Sequence, residues 1–297
     1  VNFIALASCG NTAHVIELLS HYNVSACART YFANYYSHIK LRLVARQGLQ
    51  LNVEQEPAGD AAAQQQLSAA AAARTAAVQP QLAKVLAAFQ AERVGTHHFA
   101  SVSGYGHNDL GRDTLDRVFA RVLGAEAAAV RLQFVSGTHA ITAALFGVLR
   151  PGDRLLSITG RPYDTLEEVI GLRGSGQGSL AEFGIHYDEL ELTADGRVDE
   201  PALADALSPV TRMVLIQRSC GYSWRPSLAV AQIGRLVEQV RQHSPATLVF
   251  VDNCYGELVE AAEPTEVGAD LIAGSLIKNL GGTIAPTGGY VAGRADL

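Results

Sequence analysis

Lysine is scarce in this chain: Lys40, Lys84 and Lys278 stand against twenty arginines. Lys278 follows the run Gly274-Ser275-Leu276-Ile277 and precedes Asn279-Leu280-Gly281-Gly282. An amine at the end of an apolar strand is desolvated, which favours its neutral, nucleophilic form. That form condenses with a carbonyl group to make a Schiff base. The same spelling also suits a strand-end lysine whose ammonium snorkels to water.

Asp252 ends the most apolar run, Leu248-Val249-Phe250-Val251. A carboxylate at the carboxyl end of a strand lies where open α/β sheets bind ligands. There it can partner a protonated heterocyclic nitrogen, ligate a metal, or cap the next helix. Ser136-Gly137-Thr138 follows the apolar Leu132–Val135 and opens a helical stretch. Free amides and the helix dipole make such a turn an anion site, and a plain Ser/Thr cap reads the same way. The Ser275 hydroxyl, three residues before Lys278, could reach the same anion. Tyr163, just beyond the apolar Leu155–Thr159, can stack on a planar ring or sit in a loop without a ligand. The glycine-rich segment 104–113, with Tyr105 and Arg112, reads conventionally as a turn plus a helix cap.

These residues need elements to hold them. Strands are expected at Leu155–Thr159, Met213–Gln217, Thr247–Asp252 and Leu271–Ser275, all apolar without alternation, as when both sheet faces are covered. Helical periods span Asp113–Leu123, Thr138–Leu149, Asp164–Leu172, Glu200–Leu207 and Leu228–His243. Alternation of the two types predicts an α/β fold, a mostly parallel sheet with helices on both faces. Residues 80–297 form this domain. Residues 58–79 are a low-complexity Ala/Gln linker, helical or disordered, and residues 1–57 are unassigned.

The order of a phosphate turn, a stacking tyrosine, a strand-end aspartate and Ser-x-x-Lys resembles the aspartate aminotransferase-like fold of pyridoxal 5'-phosphate (PLP) enzymes. The motifs are Gly-Tyr-Gly-His-Asn-Asp-Leu-Gly-Arg-Asp (104–113), Val-Ser-Gly-Thr-His-Ala (135–140), Gln-Arg-Ser-Cys-Gly-Tyr-Ser-Trp-Arg-Pro (217–226), Val-Asp-Asn-Cys-Tyr-Gly-Glu (251–257) and Gly-Ser-Leu-Ile-Lys-Asn-Leu-Gly-Gly (274–282). Within the Cys/Met-metabolism branch, the chain is similar to the methionine gamma-lyase-like family often called aluminium resistance proteins. The resemblance implies that Lys278 carries PLP and moves the substrate Cα proton. It implies that Asp252 pairs with the pyridinium, that Gly137, Thr138 and Ser275 hold the phosphate, and that Tyr163 stacks on the ring. Tyr105, and Arg112 with it, would reach the phosphate of a neighbouring subunit in a homodimer or homotetramer. Arg218 and Ser219 stay unassigned near the cofactor's phenolic oxygen. Family members continue into a smaller C-terminal domain that supplies an arginine for the substrate carboxylate, and that domain is missing here.

The implied function is PLP-dependent lysis of a sulfur-containing or related amino acid. The alternatives are another PLP reaction, such as transamination or aldol cleavage, and a catalytically incompetent fragment. Other classes fit less well. A net charge of −6 without basic runs offers nothing to a nucleic acid. No apolar run reaches the length of a membrane span. Cys9, Cys27, Cys220 and Cys254 lack metal-ligand spacing and suit a reducing cytoplasm. Leu6-Ala7-Ser8-Cys9 resembles a lipoprotein cleavage site but lacks a basic residue before it and a long enough apolar stretch. No GxGxxG follows a strand and no GxxxxGK[ST] is present, which argues against a dehydrogenase and a nucleotide triphosphatase.

Overall fold

The structure is a computed structural model that describes residues 59–102, 109–282 and 284–297. Two compact units divide the chain, residues 1–67 and residues 68–297, and the sheet lies in the second. Helix α1 (Gly59–Ala91) contains the described part of the Ala/Gln stretch and continues past Pro80. Alanine and glutamine favour helix strongly enough to carry the segment.

The remaining helices and strands alternate as far as the strand Leu248–Asp252, with two more strands following. They are α2 (Leu110–Val122), β1 (Ala127–Arg131), α3 (Gly137–Val148), β2 (Arg154–Ser157), α4 (Asp164–Ile170), β3 (His186–Glu189), α5 (Glu200–Ala206), β4 (Thr211–Gln217), α6 (Val230–His243), β5 (Leu248–Asp252), β6 (Leu271–Ser275) and β7 (Gly289–Gly293). The strands form one sheet in the order β1-β7-β6-β5-β4-β2-β3. Strands β3, β2, β4, β5 and β6 run parallel. Strand β7 returns antiparallel between β6 and β1.

The core lies on both faces of this sheet, and the pleat decides which side chain goes where. Val214, Ile216, Val249, Val251 and Ile272 pack on one face with Ile233, Leu236, Val237 and Val240 of α6. Met213, Leu215, Leu248, Phe250 and Ala273 pack on the other with Ala140, Ile141, Ala144 and Leu145 of α3. Helix α6 shows why it forms: Val230, Ile233, Val237 and Val240 recur on one helical stripe, and all are buried.

Three differences from the sequence expectation are instructive. The apolar Leu132–Val135 is a turn with Leu132 and Val135 exposed, and the strand before it is the alanine-rich β1. Alanine is a weak strand former, so the signal lay in the wrong residues. Strand β3 is a polar edge strand, and β7 is only five residues with a glycine at each end. Neither resembles a buried apolar run.

Candidate active site

The carboxyl ends of the parallel strands bring the predicted residues together. Strand β5 delivers Asp252, which is almost completely buried, and its Oδ1 accepts the Cys254 amide at 3.1 Å. Strand β6 ends at the buried Ser275, and a turn carries the chain on to Lys278. The glycine pair allows the turn to tighten. A Cβ on Gly281 would meet the Leu276 carbonyl oxygen at 2.3 Å, and one on Gly282 would meet that of Lys278 at 2.4 Å.

The Gly137 turn packs against the same place. Ser136 caps α3 by accepting the His139 amide at 3.1 Å. A Cβ on Gly137 would lie 2.9 Å from the Ser275 Cβ and 3.3 Å from the Cys254 Sγ, so only glycine brings the backbone this close. Thr138 Oγ1 and the Tyr163 hydroxyl are 3.0 Å apart. The Tyr163 amide donates to Gln217 Oε1 at 3.1 Å, which ties the loop after β2 to the end of β4.

Electrostatics link these groups further. Burial pushes the Asp252 carboxyl above the ordinary range, opposed by the Cys254 thiol and amide and by the charges of Lys278 and Arg225. Burial by itself would lower the Lys278 ammonium. Cys254, Asp252 and Tyr255 outweigh it, so Lys278 titrates above an ordinary lysine. This corrects the expectation that desolvation lowers it: Cys254 first, then Asp252, outweigh burial. Burial, then the Asp252 charge, raises the Cys254 thiol as well. Burial, then the Asp252 charge, raises the Tyr163 hydroxyl.

Sequence reasoning missed three residues here. The Tyr255 ring lies 4.2 Å from Lys278 Nζ. Glu257 is buried, accepts the Tyr290 hydroxyl at 3.0 Å, and has no partner for Oε2 among the described residues. Arg225 is half-buried near Asp252 and donates to the carbonyls of Gln217 and Ser219 at 2.8 and 2.5 Å. The motif 217–226 held the signal for Arg225, whereas Tyr255 and Glu257 depend on a loop conformation that no spacing rule conveys. Arg218 is structural: its guanidinium donates to Asn253 Oδ1 at 2.7 Å, Gly256 O at 2.9 Å and Glu260 Oε1 at 2.7 Å. Tyr105 lies outside the described residues. Arg112 is 3.4 Å from Asp109, whose carboxylate caps α2.

The arrangement fits PLP on two observations. A buried carboxyl pushed upward is stabilised by a donor that carries positive charge, as a pyridinium N–H does. Gly137 brings the first turn of α3, the end of a helix that attracts anions, against Ser275, where a phosphate would sit.

Comparison with known proteins agrees. The Bacillus subtilis (strain 168) protein YnbB is 54% identical over 213 residues, 71% of this chain and 51% of that protein. The L-methionine gamma-lyase of Pseudomonas putida is 30% identical over 198 residues, 66% of this chain and 44% of the enzyme. A crystal structure of a carbon-sulfur lyase involved in aluminum resistance from Clostridium novyi NT superposes with a TM-score of 0.72 at 51% identity, covering 75% of this chain and 53% of that one. This chain thus spans about half the length of the relatives it matches. The family model for methionine gamma-lyase matches residues 58–297. The chain belongs to the methionine gamma-lyase family.

Proposed function

We propose that this chain is the cofactor-binding part of a PLP-dependent lyase that breaks a carbon–sulfur bond in a sulfur-containing or related amino acid. The observation that supports it most is the packing of the Gly137 turn against Ser275 and Cys254, whose amide binds the buried Asp252, at the strand ends that lead to Lys278. Bound PLP supplies an electron sink for the negative charge that develops at the substrate Cα.

The residues of the chain do the rest. Lys278 would hold the cofactor through its amine and would serve as the base that takes the Cα proton. Asp252, buried from water, would hold a proton on the ring nitrogen by a hydrogen bond that burial strengthens. The amides of Gly137 and Thr138, with the Ser275 hydroxyl, orient the phosphate. Tyr163 would cover the ring and keep water from one face. By analogy, Tyr105 reaches the phosphate of a second subunit in a homodimer or homotetramer. In support of such an assembly, Leu132, Val135, Ile277 and Ile284 are all more than half exposed.

The test is direct. PLP added to the purified protein produces a near-visible absorption band, and Lys278→Ala abolishes it. A protein that stays colourless contradicts the reading. Pyruvate or 2-oxobutyrate released from cysteine, cystathionine or methionine supports a lyase. Amino-group transfer without either of those acids would instead point to transamination.

A further inference from the structure

Tyr255 is a bulky residue with φ of +69°, in the left-handed region that side chains rarely adopt. Such conformations are costly and persist where the surroundings enforce them, commonly at functional sites. Here the enforcement is visible. Asn279, the residue after Lys278, donates from Nδ2 to the carbonyls of Tyr255 at 2.9 Å and Glu257 at 3.1 Å. Arg218 holds the far side through Asn253 Oδ1 and Gly256 O. The Gly256 amide closes the turn on Asn253 O at 2.8 Å. A Cβ on Gly256 would strike the Arg218 guanidinium, so the loop has no slack. The effect of all this is to put one aromatic ring 4.2 Å from Lys278 Nζ. The ring is otherwise mostly exposed, so packing does not explain its position.

We propose that Tyr255 is a positioning residue for Lys278: its ring face holds the ammonium by a cation–π contact whenever that nitrogen carries its proton. The proposal rests on Lys278 being the cofactor lysine. A base that has taken a proton from a substrate must keep it within reach and then return it. An ammonium free to swing into water would exchange that proton with solvent and lose its aim at the substrate. The ring stabilises the protonated form on the spot, with Asp252 and Cys254 as the other ionisable neighbours of Lys278.

The scarcity of lysine makes the test clean. The chain labelled with 13C at lysine Cε carries three lysine signals, from Lys40, Lys84 and Lys278. Their titrations are followed by NMR without PLP, in the wild type and in Tyr255→Phe and Tyr255→Leu. Phe keeps the ring, so the Lys278 titration stays in place. Leu removes the face, and Lys278 shifts down by about half a unit, with Lys40 and Lys84 unmoved as a check on folding. Tyr255→Gly relieves the backbone and shows the same downward shift. An unchanged Lys278 titration in both Leu and Gly overturns the proposal. Addition of PLP separates the two readings. If Lys278 alone responds to PLP, the cofactor assignment stands. If it does not respond, that assignment fails while the ring–ammonium result is judged on the titrations alone.

Discussion

At the residue scale, the site depends on a few atoms brought close by glycine and on acids kept from water. Gly137→Ala forces a methyl group to within 2.9 Å of the Ser275 Cβ. The expected result is a folded protein with PLP affinity reduced at least tenfold, measured by absorption titration, because the turn must retreat from the phosphate position. Glu257 predicts a pH effect. Burial pushes its carboxyl from an ordinary 4.5 to about 7, against the hydrogen bond from Tyr290. The folded chain therefore retains a proton that the unfolded chain has lost in that window. Stability from this group is complete at the acidic end and falls as pH rises toward 7, by on the order of 3 kcal/mol. Glu257→Gln keeps the shape without the charge, so the difference in thermal midpoint between about pH 5 and about pH 8 narrows relative to wild type. An identical difference in both proteins contradicts this role. Lys278 was legible in the sequence because lysine is rare and its neighbours are apolar. Tyr255 and Glu257 were not, because positive backbone angles and a buried unpaired oxygen arise only when distant segments meet.

At the element scale, the central strands were legible and the peripheral ones were not. Strands β5 and β6 are buried at every position, and β4 at all but one, so they read as unbroken apolar runs. The β5–β6 pairing sets Asp252 opposite Ala273, and Ser275 follows two residues further along β6. Strands β1, β3 and β7 carry alanine, polar or glycine-bounded sequences, and their identity comes from pairing with neighbours. Helix α6 packs on the sheet away from the α3 turn, so its role is support. Ile233→Ala, at a fully buried position, is expected to cost about 2–5 kcal/mol in denaturant unfolding. PLP binding per folded molecule should remain unchanged. A loss of binding without a loss of stability would place α6 in the site.

At the scale of the whole molecule, the family match covers residues 58–297, and the chain spans about half the length of its curated relatives. No helix among the described residues is long and apolar enough to cross a membrane. The expected assembly is a homodimer or homotetramer, to be read from light scattering coupled to size exclusion; a strictly monomeric protein would count against a shared site involving Tyr105. The central claim concerns one amine among three. Borohydride trapping of PLP on the protein, followed by digestion and mass spectrometry, identifies which lysine holds the cofactor. The account predicts a single modified peptide containing Lys278, with Lys40 and Lys84 unlabelled. Label on either of those two, or none on Lys278, would contradict it.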